Sequence, residues 1–258
     1  MIIRARTGLR VEAVCHEAGT LPYRTQRMTV TTTAERLVAV RSRIDAAARR
    51  SGRQPGDVTL VAVTKNVDPP RIMEAVNAGI RHCGENYVQE ALAKQRALPI
   101  GQYAIEWHFI GHLQRNKAKD VVDRFALIQS VDSLLLARKI GERAIQLGRE
   151  ANVLLQVKLD PNQAKFGIGS DDTLRAAEAA REIPGIKVIG LMGMAPFAEH
   201  PEASRNGFRA LRALYELLPP DTRQVLSMGM TADFEVAIEE GATLVRIGTA
   251  IFGPRAAP

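Results

Sequence analysis

The sequence predicts a (β/α)8 barrel, a ring of eight parallel strands surrounded by helices. From Val58 onward, short apolar runs alternate with longer amphipathic runs, with a period of roughly 25 residues. Eight apolar runs can be counted, and eight strands are the number that closes this kind of barrel. The chain has 258 residues, which suits one α/β barrel of about 250 residues.

The predicted strands are short runs of apolar and β-branched residues near 58–64, 80–84, 105–110, 126–131, 153–159, 187–192, 224–228 and 243–248. Helical patterns separate them near 69–78, 86–97, 114–124, 132–149, 171–182, 202–218 and 231–240. Glycine stands at the end of three of these patterns, at Gly79, Gly148 and Gly241, as is common at helix C-termini. The alternation implies right-handed crossovers and therefore a parallel sheet.

A capped helix is predicted before the first strand. Thr32 and Glu35 have the spacing of a capping box. Apolar residues then recur at helical spacing until Ser51-Gly52, at Leu37, Val40, Ile44, Ala47 and Ala48. This helix is expected to cover the barrel where a full-length eighth helix is missing. Residues 1–30 show no sustained period and are expected to be a poorly ordered extension, which leaves 31–258 as the single barrel domain.

An open, doubly wound sheet is the alternative fold. Dinucleotide-binding sheets of that kind carry the sequence G-x-G-x-x-G after a strand. The nearest match is Gly167-Ile-Gly169, which lacks the third glycine. The closed barrel is therefore preferred.

Composition excludes several classes of function. The net charge is +7, but residues 1–56 hold 11 Arg against 4 Asp or Glu, and residues 57–258 are neutral. Without a basic face on the main body, nucleic-acid binding is not expected. No apolar run approaches the roughly 20 residues of a membrane span. Cys15 and Cys83 cannot form a disulfide framework, no Cys/His cluster has metal-ligand spacing, and no secretory signal is present, so a cytoplasmic protein is predicted.

Polar residues follow the predicted strands at their C-terminal ends, where barrels of this kind bind ligands. Nine residues are expected to share this mouth, namely Lys65, Glu85-Asn86, His108, Met192, Ser227, Arg246 and Gly248-Thr249. The loops after strands 7 and 8 often bind phosphate in this fold. Here they contain small residues and hydroxyls, which expose backbone N–H groups.

A lysine beside a phosphate site predicts Schiff-base chemistry. A phosphorylated sugar and pyridoxal 5'-phosphate (PLP) both fit such a site. Arg246 leaves strand 8 two residues before Gly248, nearer to the place where a ring would lie.

The sequence resembles the pyridoxal-phosphate homeostasis protein family, single-domain PLP-binding proteins with an alanine racemase-like N-terminal barrel. The resemblance spans about residues 33–253. The matching segments are Ala62-Val-Thr-Lys65, Gly84-Glu-Asn-Tyr-Val-Gln-Glu90, Trp107-His-Phe-Ile-Gly-His-Leu-Gln114 with Asn116-Lys117, Ser130-Val-Asp132, Gly190-Leu-Met192, Ser227-Met-Gly-Met230, Asp233-Phe234 and Val245-Arg-Ile-Gly-Thr-Ala-Ile-Phe-Gly253.

The resemblance implies a fold-type III PLP site with Lys65 as the internal aldimine. It also implies that Ser227, Gly248 and Thr249 bind the phosphate and that Arg246 faces the pyridine nitrogen. The sequence departs from the family pattern at Cys83, where an aromatic residue is commoner, and at Asn66-Val67, where a Thr-Lys pair is more usual.

Other residues near the strand ends have two readings each. Asn86 could bond a ring hydroxyl or cap the next helix. Met192 and Met228 could line the cofactor or simply pack in the core. His108 and His112 could touch cofactor or substrate, or be hydrogen-bonded core groups. The basic residues Arg115, Lys117 and Lys119 could form a partner surface or a solvated helix face.

The pattern favours a PLP carrier over an enzyme. PLP withdraws electrons best when its ring nitrogen is protonated, and an arginine partner leaves that nitrogen neutral. In two-domain racemases the second acid–base group comes from an added domain, which is not expected here because the chain ends ten residues after Gly248. We expect a monomeric, cytoplasmic protein that holds PLP on Lys65 and supplies it to apo PLP-dependent enzymes. A minimal amino-acid racemase using Lys65 and Tyr87 is the alternative, and a sugar-phosphate lyase has only Lys65 in its favour.

Overall fold

Eight parallel strands close into a barrel in the computed structural model, which describes residues 32–98, 103–159, 166–196 and 199–254. The barrel strands are β1 (Thr59–Val63), β2 (His82–Glu85), β3 (Glu106–Phe109), β4 (Leu127–Val131), β5 (Ala151–Lys158), β7 (Ile186–Gly193), β8 (Val225–Ser227) and β9 (Leu244–Ile247). The predicted fold class is thus confirmed. The predicted extension, residues 1–30, lies outside the described residues.

Closure of the ring makes the first and last strands neighbours. The strand order is β4-β3-β2-β1-β9-β8-β7-β5, and β4 also pairs with β5. Between β1 and β9, Val61 lies opposite Arg246 and Ala62 opposite Ile247. A ninth, two-residue strand, β6 (Ile168–Gly169), pairs with the end of β5 and was not predicted, since two residues carry no pattern. The β1–β9 pairing brings the segments around Lys65 and Gly248 to one end of the barrel.

Helices surround the strands, and most of the larger core lies between the two. In the described residues they are α1 (Thr33–Arg50), α2 (Pro69–Asn77), α3 (Val88–Ala97), α4 (Ala118–Val122), α5 (Leu134–Gln146), α6 (Thr173–Arg181), α7 (Arg205–Glu216), α8 (Phe234–Glu239) and α9 (Thr249–Phe252). No helix in this part of the chain is both long and apolar enough to cross a membrane.

The first helix, α1, has the predicted capping box. The Thr32 hydroxyl accepts from the Glu35 N–H at 3.2 Å, and the Glu35 carboxylate accepts from the Thr32 N–H at 2.8 Å. The helix packs against α8, α9 and α2. Because α9 has only four residues, α1 covers the side of the barrel that a full eighth helix would occupy.

The core has two layers. The larger layer fills the space between the strands and the helices. The smaller layer lies inside the ring and consists of Val61, Leu127, Leu154, Ile189, Met192 and Leu244. Polar side chains are also buried in the ring, among them Gln129, Ser227 and Arg246. Buried polar groups need hydrogen-bond partners, and theirs define the candidate site.

Candidate functional site

Lys65 lies in a tight turn just after β1. The Thr64 carbonyl accepts from the Val67 N–H at 3.0 Å, so Lys65 and Asn66 are the two central residues of the turn. Asn66 has φ of 55°, in the left-handed region that asparagine tolerates better than most residues. Lys65 is half-buried. The turn places the predicted lysine at the C-terminal end of the barrel.

Glu85 does not join the mouth, although the sequence suggested that it would. Its carboxylate is fully buried and accepts from the Thr64 hydroxyl at 2.6 Å and from the Lys94 ammonium at 2.8 Å. Burial raises the pKa of Glu85, and the hydrogen bonds from Lys94 and Thr64 oppose that rise. Glu85 therefore belongs to the support beneath the Lys65 turn.

Arg246 is buried inside the barrel and held by two acceptors. Its guanidinium donates to the Ser227 hydroxyl at 2.5 Å and to the Gly193 carbonyl at 3.0 Å. Burial lowers the pKa of Arg246 to about 10, and the charge of Asp233 opposes this. The side chain thus keeps its positive charge at neutral pH and acts only as a donor.

The hydroxyl of Ser227 continues a hydrogen-bonded chain. Since it accepts from Arg246, it donates to the Gln129 carbonyl oxygen at 2.7 Å. The Gln129 amide nitrogen then faces His108 Nδ1 at 2.9 Å. His108 must therefore accept at Nδ1 and carry its proton on Nε2. The Ser227 hydroxyl proton is already donated to Gln129. A phosphate bound near Ser227 would therefore accept its hydrogen bonds from other groups.

The other nitrogen of His108 faces His82. The distance from His108 Nε2 to His82 Nδ1 is 3.2 Å, and Glu106 lies 3.5 Å from the same His82 nitrogen. Burial, aided by the charge of His82, lowers the pKa of His108 to about 3, so its ring is neutral. His82, Glu106 and His108 are close enough to hold a metal ion. However, His108 Nε2 carries a proton and the Nδ1 lone pair accepts from Gln129, so His108 has no free lone pair for a cation.

The loops after β8 and β9 border the same end of the ring. Gly229 has φ of 89°, and a Cβ there would lie 2.5 Å from the Ala237 side chain, so glycine is required. Two amides of the first loop are engaged: Met228 N–H with the Leu244 carbonyl at 3.1 Å, and Met230 N–H with Asp233 at 2.7 Å. The Met228 side chain packs between strands and helices.

Gly248 and Thr249 begin α9, directly after β9. Gly248 is buried and Thr249 is exposed. The first N–H groups of a helix have no acceptor within the helix, so they are suited to an anion. Met192, by contrast, is fully buried inside the ring and forms its apolar floor.

Asn86 and His112 lie on the rim beside a shared cavity of about 550 Å³. Asn86 is half-buried after β2, before the start of α3 at Val88. The His112 ring stacks on Phe166, with ring centroids 3.4 Å apart. His112 Nδ1 lies 3.3 Å from Asp132. Tyr87, the other rim residue, is 58% exposed.

Known proteins share this architecture over almost the whole barrel. The family model "Alanine racemase, N-terminal domain" matches residues 36–256. The pyridoxal phosphate homeostasis protein of Aquifex aeolicus is 43% identical over 224 residues, which cover 86% of this chain and 97% of that protein. This chain belongs to the pyridoxal phosphate homeostasis protein family. The resemblance found in the sequence is thereby confirmed.

Two solved structures are similar to this member of the family. An unknown protein from Bifidobacterium adolescentis has a TM-score of 0.81 at 38% identity, covering 85% of this chain and 94% of its own. PipY of Synechococcus elongatus, in a structure with PLP bound, has a TM-score of 0.75 at 37% identity. That match covers 86% of this chain and 100% of PipY.

The donors at this end of the barrel fit a pyridine phosphate. Arg246 supplies a buried cation that can only donate hydrogen bonds. A neutral ring nitrogen is an acceptor, so it needs a donor of this kind. The amides at Gly248 and Thr249 suit a phosphate, and Lys65 supplies an amine at the end of the neighbouring strand. The contacts of these residues with a cofactor remain a prediction.

Sequence reasoning missed three residues that the structure ties to the site: Gln129, Glu90 and Lys94. Gln129 had a signal, because it interrupts the apolar strand β4 and a buried polar residue needs a partner. Glu90 and Lys94 have the i,i+4 spacing of an ordinary ion pair on a helix surface. Nothing in their spacing showed that both reach the Lys65 turn.

Proposed function

We propose that this protein binds PLP at the C-terminal mouth of the barrel and serves PLP homeostasis in the cytoplasm. The observation that carries the proposal is the β1–β9 pairing, which places Lys65 beside the strand bearing Arg246 and the Gly248-Thr249 helix start. The family membership supports it, since relatives are named for PLP homeostasis and PipY has PLP bound. The protein would act as a monomer that supplies apo PLP-dependent enzymes.

Each predicted site residue has a place in this proposal. Lys65 condenses its amine with the aldehyde of PLP, forming a Schiff base and releasing water. Gly248 and Thr249 bind the phosphate with backbone amides and the Thr249 hydroxyl. Arg246 donates to the ring nitrogen, and Ser227 holds Arg246 in place.

Three further residues complete the lining. Asn86, half-buried on the rim, would donate to or accept from the ring hydroxyl. Met192 closes the apolar floor inside the barrel. Met228 borders the phosphate loop through its backbone, because its side chain packs on the outer side of the strands.

The residues present favour holding the cofactor over turning over a substrate. PLP, when bound, supplies an electron sink whose strength depends on protonation of the ring nitrogen. Arg246 stays charged and has no proton to give under ordinary conditions, so that nitrogen stays neutral. The removal of the α-proton from a bound amino acid would therefore be only weakly stabilised by PLP. We propose a carrier and not an enzyme.

Deuterium exchange at the α-carbon of L-alanine distinguishes the carrier from the racemase alternative. NMR in D2O should show no appreciable exchange with PLP-loaded protein, and no difference between the wild type and Lys65→Ala. Rapid exchange that requires Lys65 would establish the racemase instead. The proposal also requires that PLP binds to the protein. Titration with PLP, followed by visible absorbance, measures this binding.

A further inference from the structure

The turn that carries Lys65 is held on both sides by helix α3. On the near side, the Lys94 ammonium donates to the Thr64 carbonyl at 2.5 Å. On the far side, the Glu90 carboxylate accepts from the Asn66 N–H at 2.6 Å. Thr64 and Asn66 are the residues immediately before and after Lys65. Two side chains, four residues apart on one helix, therefore fix both peptide groups that flank the lysine.

The two side chains are joined to each other and to β2. Lys94 is 7% exposed and makes three hydrogen bonds, to Thr64, to Glu90 at 2.6 Å and to Glu85 at 2.8 Å. An ammonium has three donors, so all are used. Glu85 also accepts from the Thr64 hydroxyl, so β2 and α3 fix Thr64 together. A buried cation satisfied this fully has one stable position.

Asn66 needs such support because of its backbone conformation. Its φ of 55° lies in the left-handed region, which asparagine tolerates better than most residues but which still costs energy that surrounding contacts must offset. The Glu90 contact is a charge-assisted hydrogen bond to the very N–H of this residue. Without it, the turn can relax, and the backbone from which the Lys65 side chain extends would no longer be fixed on that side.

We propose that Glu90 and Lys94 are positioning residues that hold the Lys65 amine ready for the aldehyde of PLP. The proposal rests on the function proposed above, with Lys65 as the reacting lysine. It predicts that a change at Glu90 weakens the covalent part of PLP binding and leaves the phosphate and ring contacts unaltered.

Glu90→Ala is the first test, because Glu90 is only partly buried and the barrel should still fold. PLP affinity should fall by about tenfold, the loss expected for one charge-assisted hydrogen bond. Affinity for 4'-deoxypyridoxine 5'-phosphate, which has a methyl group in place of the aldehyde, should not change. Glu90→Gln should restore PLP affinity, since its amide oxygen can accept from Asn66.

A matched control comes from another glutamate in an i,i+4 pair. Glu216 bonds Arg212 at 2.7 Å on α7 and, among the residues that the structure describes, forms no hydrogen bond or ion pair with the turn. Glu216→Ala should leave the affinity for both ligands unchanged. A tenfold loss of PLP affinity in this variant, or equal losses for both ligands in Glu90→Ala, would show a general structural effect and overturn the proposal.

A second comparison isolates Lys65. In a Lys65→Ala background, Glu90→Ala should have no further effect on PLP affinity, because the group being positioned is absent. A full tenfold loss there would overturn the proposal. If the wild type itself forms no borohydride-reducible adduct on Lys65, the proposed function fails and the inference fails with it. An adduct in the wild type with Glu90→Ala unaffected refutes only the inference.

Hydrogen exchange tests the geometry without any cofactor. The Asn66 amide should be protected in the wild type and in Glu90→Gln, and should exchange at least about tenfold faster in Glu90→Ala. Equal protection in all three proteins would show that Glu90 does not hold the turn, and would overturn the proposal.

Discussion

Replacing Ser227 by alanine should destabilise the barrel far more than the same change at Ser130. Both serines are buried, at 0% and 1% exposure. Ser227 accepts from Arg246 at 2.5 Å and donates to Gln129 at 2.7 Å, whereas Ser130 Oγ has no hydrogen-bond partner among the described residues. The two replacements delete the same atom from equally buried positions, so their difference measures mainly the hydrogen-bonded chain.

The magnitude follows from the bonds that are lost. A hydrogen bond to a charged group contributes about 1.5–3 kcal/mol and a neutral one about 0.5–1.5 kcal/mol. Ser227→Ala removes one of each and leaves the buried Gln129 oxygen without a partner. We expect a loss of about 2–4 kcal/mol in the free energy of unfolding. Ser130→Ala removes a desolvated hydroxyl with no hydrogen-bond partner in the described part of the chain, and should change stability by less than about 0.5 kcal/mol.

Urea unfolding followed by circular dichroism measures both variants, with the slopes checked for equality. PLP affinity of Ser227→Ala should also fall, by roughly ten- to hundredfold, because Arg246 loses one of its two acceptors. Equal free energies of unfolding for the two variants would refute the account of the chain from Arg246 to His108.

Three more predictions concern single features of the fold. Burial holds the pKa of His108 at about 3 against an ordinary 6.5, so the unfolded chain binds a proton that the folded barrel does not. Stability should therefore fall as the pH drops from about 6.5 toward 3, by up to about 1.4 kcal/mol per unit from this residue. His108→Gln should flatten that slope in urea unfolding, and an unchanged slope would contradict the buried neutral ring. Burial raises the pKa of Cys83 to about 12, so peptide mapping after a thiol reagent should find Cys83 modified only in urea, not in native protein. Deleting residues 1–28 should leave the melting temperature and PLP binding unchanged, because the capped helix α1 begins at Thr33; a large drop would show that the extension packs on the barrel.

The repeating part of the fold was predictable because each element carries its own pattern. The buried stripe of α1 and its capping box were both read directly from the sequence, and each predicted strand has a counterpart in the ring. Helix boundaries were harder. The pattern near 114–124 begins as a 3-10 turn at Arg115–Lys117 before α4, and the pattern near 231–240 is helical only from Phe234. Before Phe234, the Asp233 carboxylate accepts from the Met230 N–H. Sequence periodicity does not show this contact.

The candidate site was predictable only as far as strand ends define it. Lys65, Arg246 and Gly248 could be placed together because barrel closure makes β1 and β9 neighbours. The direction of a side chain could not be predicted, so Glu85 was expected at the mouth and lies beneath it. His108 likewise bonds Gln129 and His82 within the ring. The positions of the Glu85 and His108 side chains depend on partners in other elements, namely Lys94 and Gln129. No local pattern predicts these pairings.

Borohydride reduction of the PLP-loaded protein, followed by peptide mass mapping, tests the central claim most directly. Reduction converts a Schiff base into a stable amine and so marks the lysine that holds PLP. We predict a single adduct on Lys65, which is lost in Lys65→Ala. An adduct on Lys158 at the end of β5, on Lys165 outside the described residues, or on no lysine at all would contradict the proposed site.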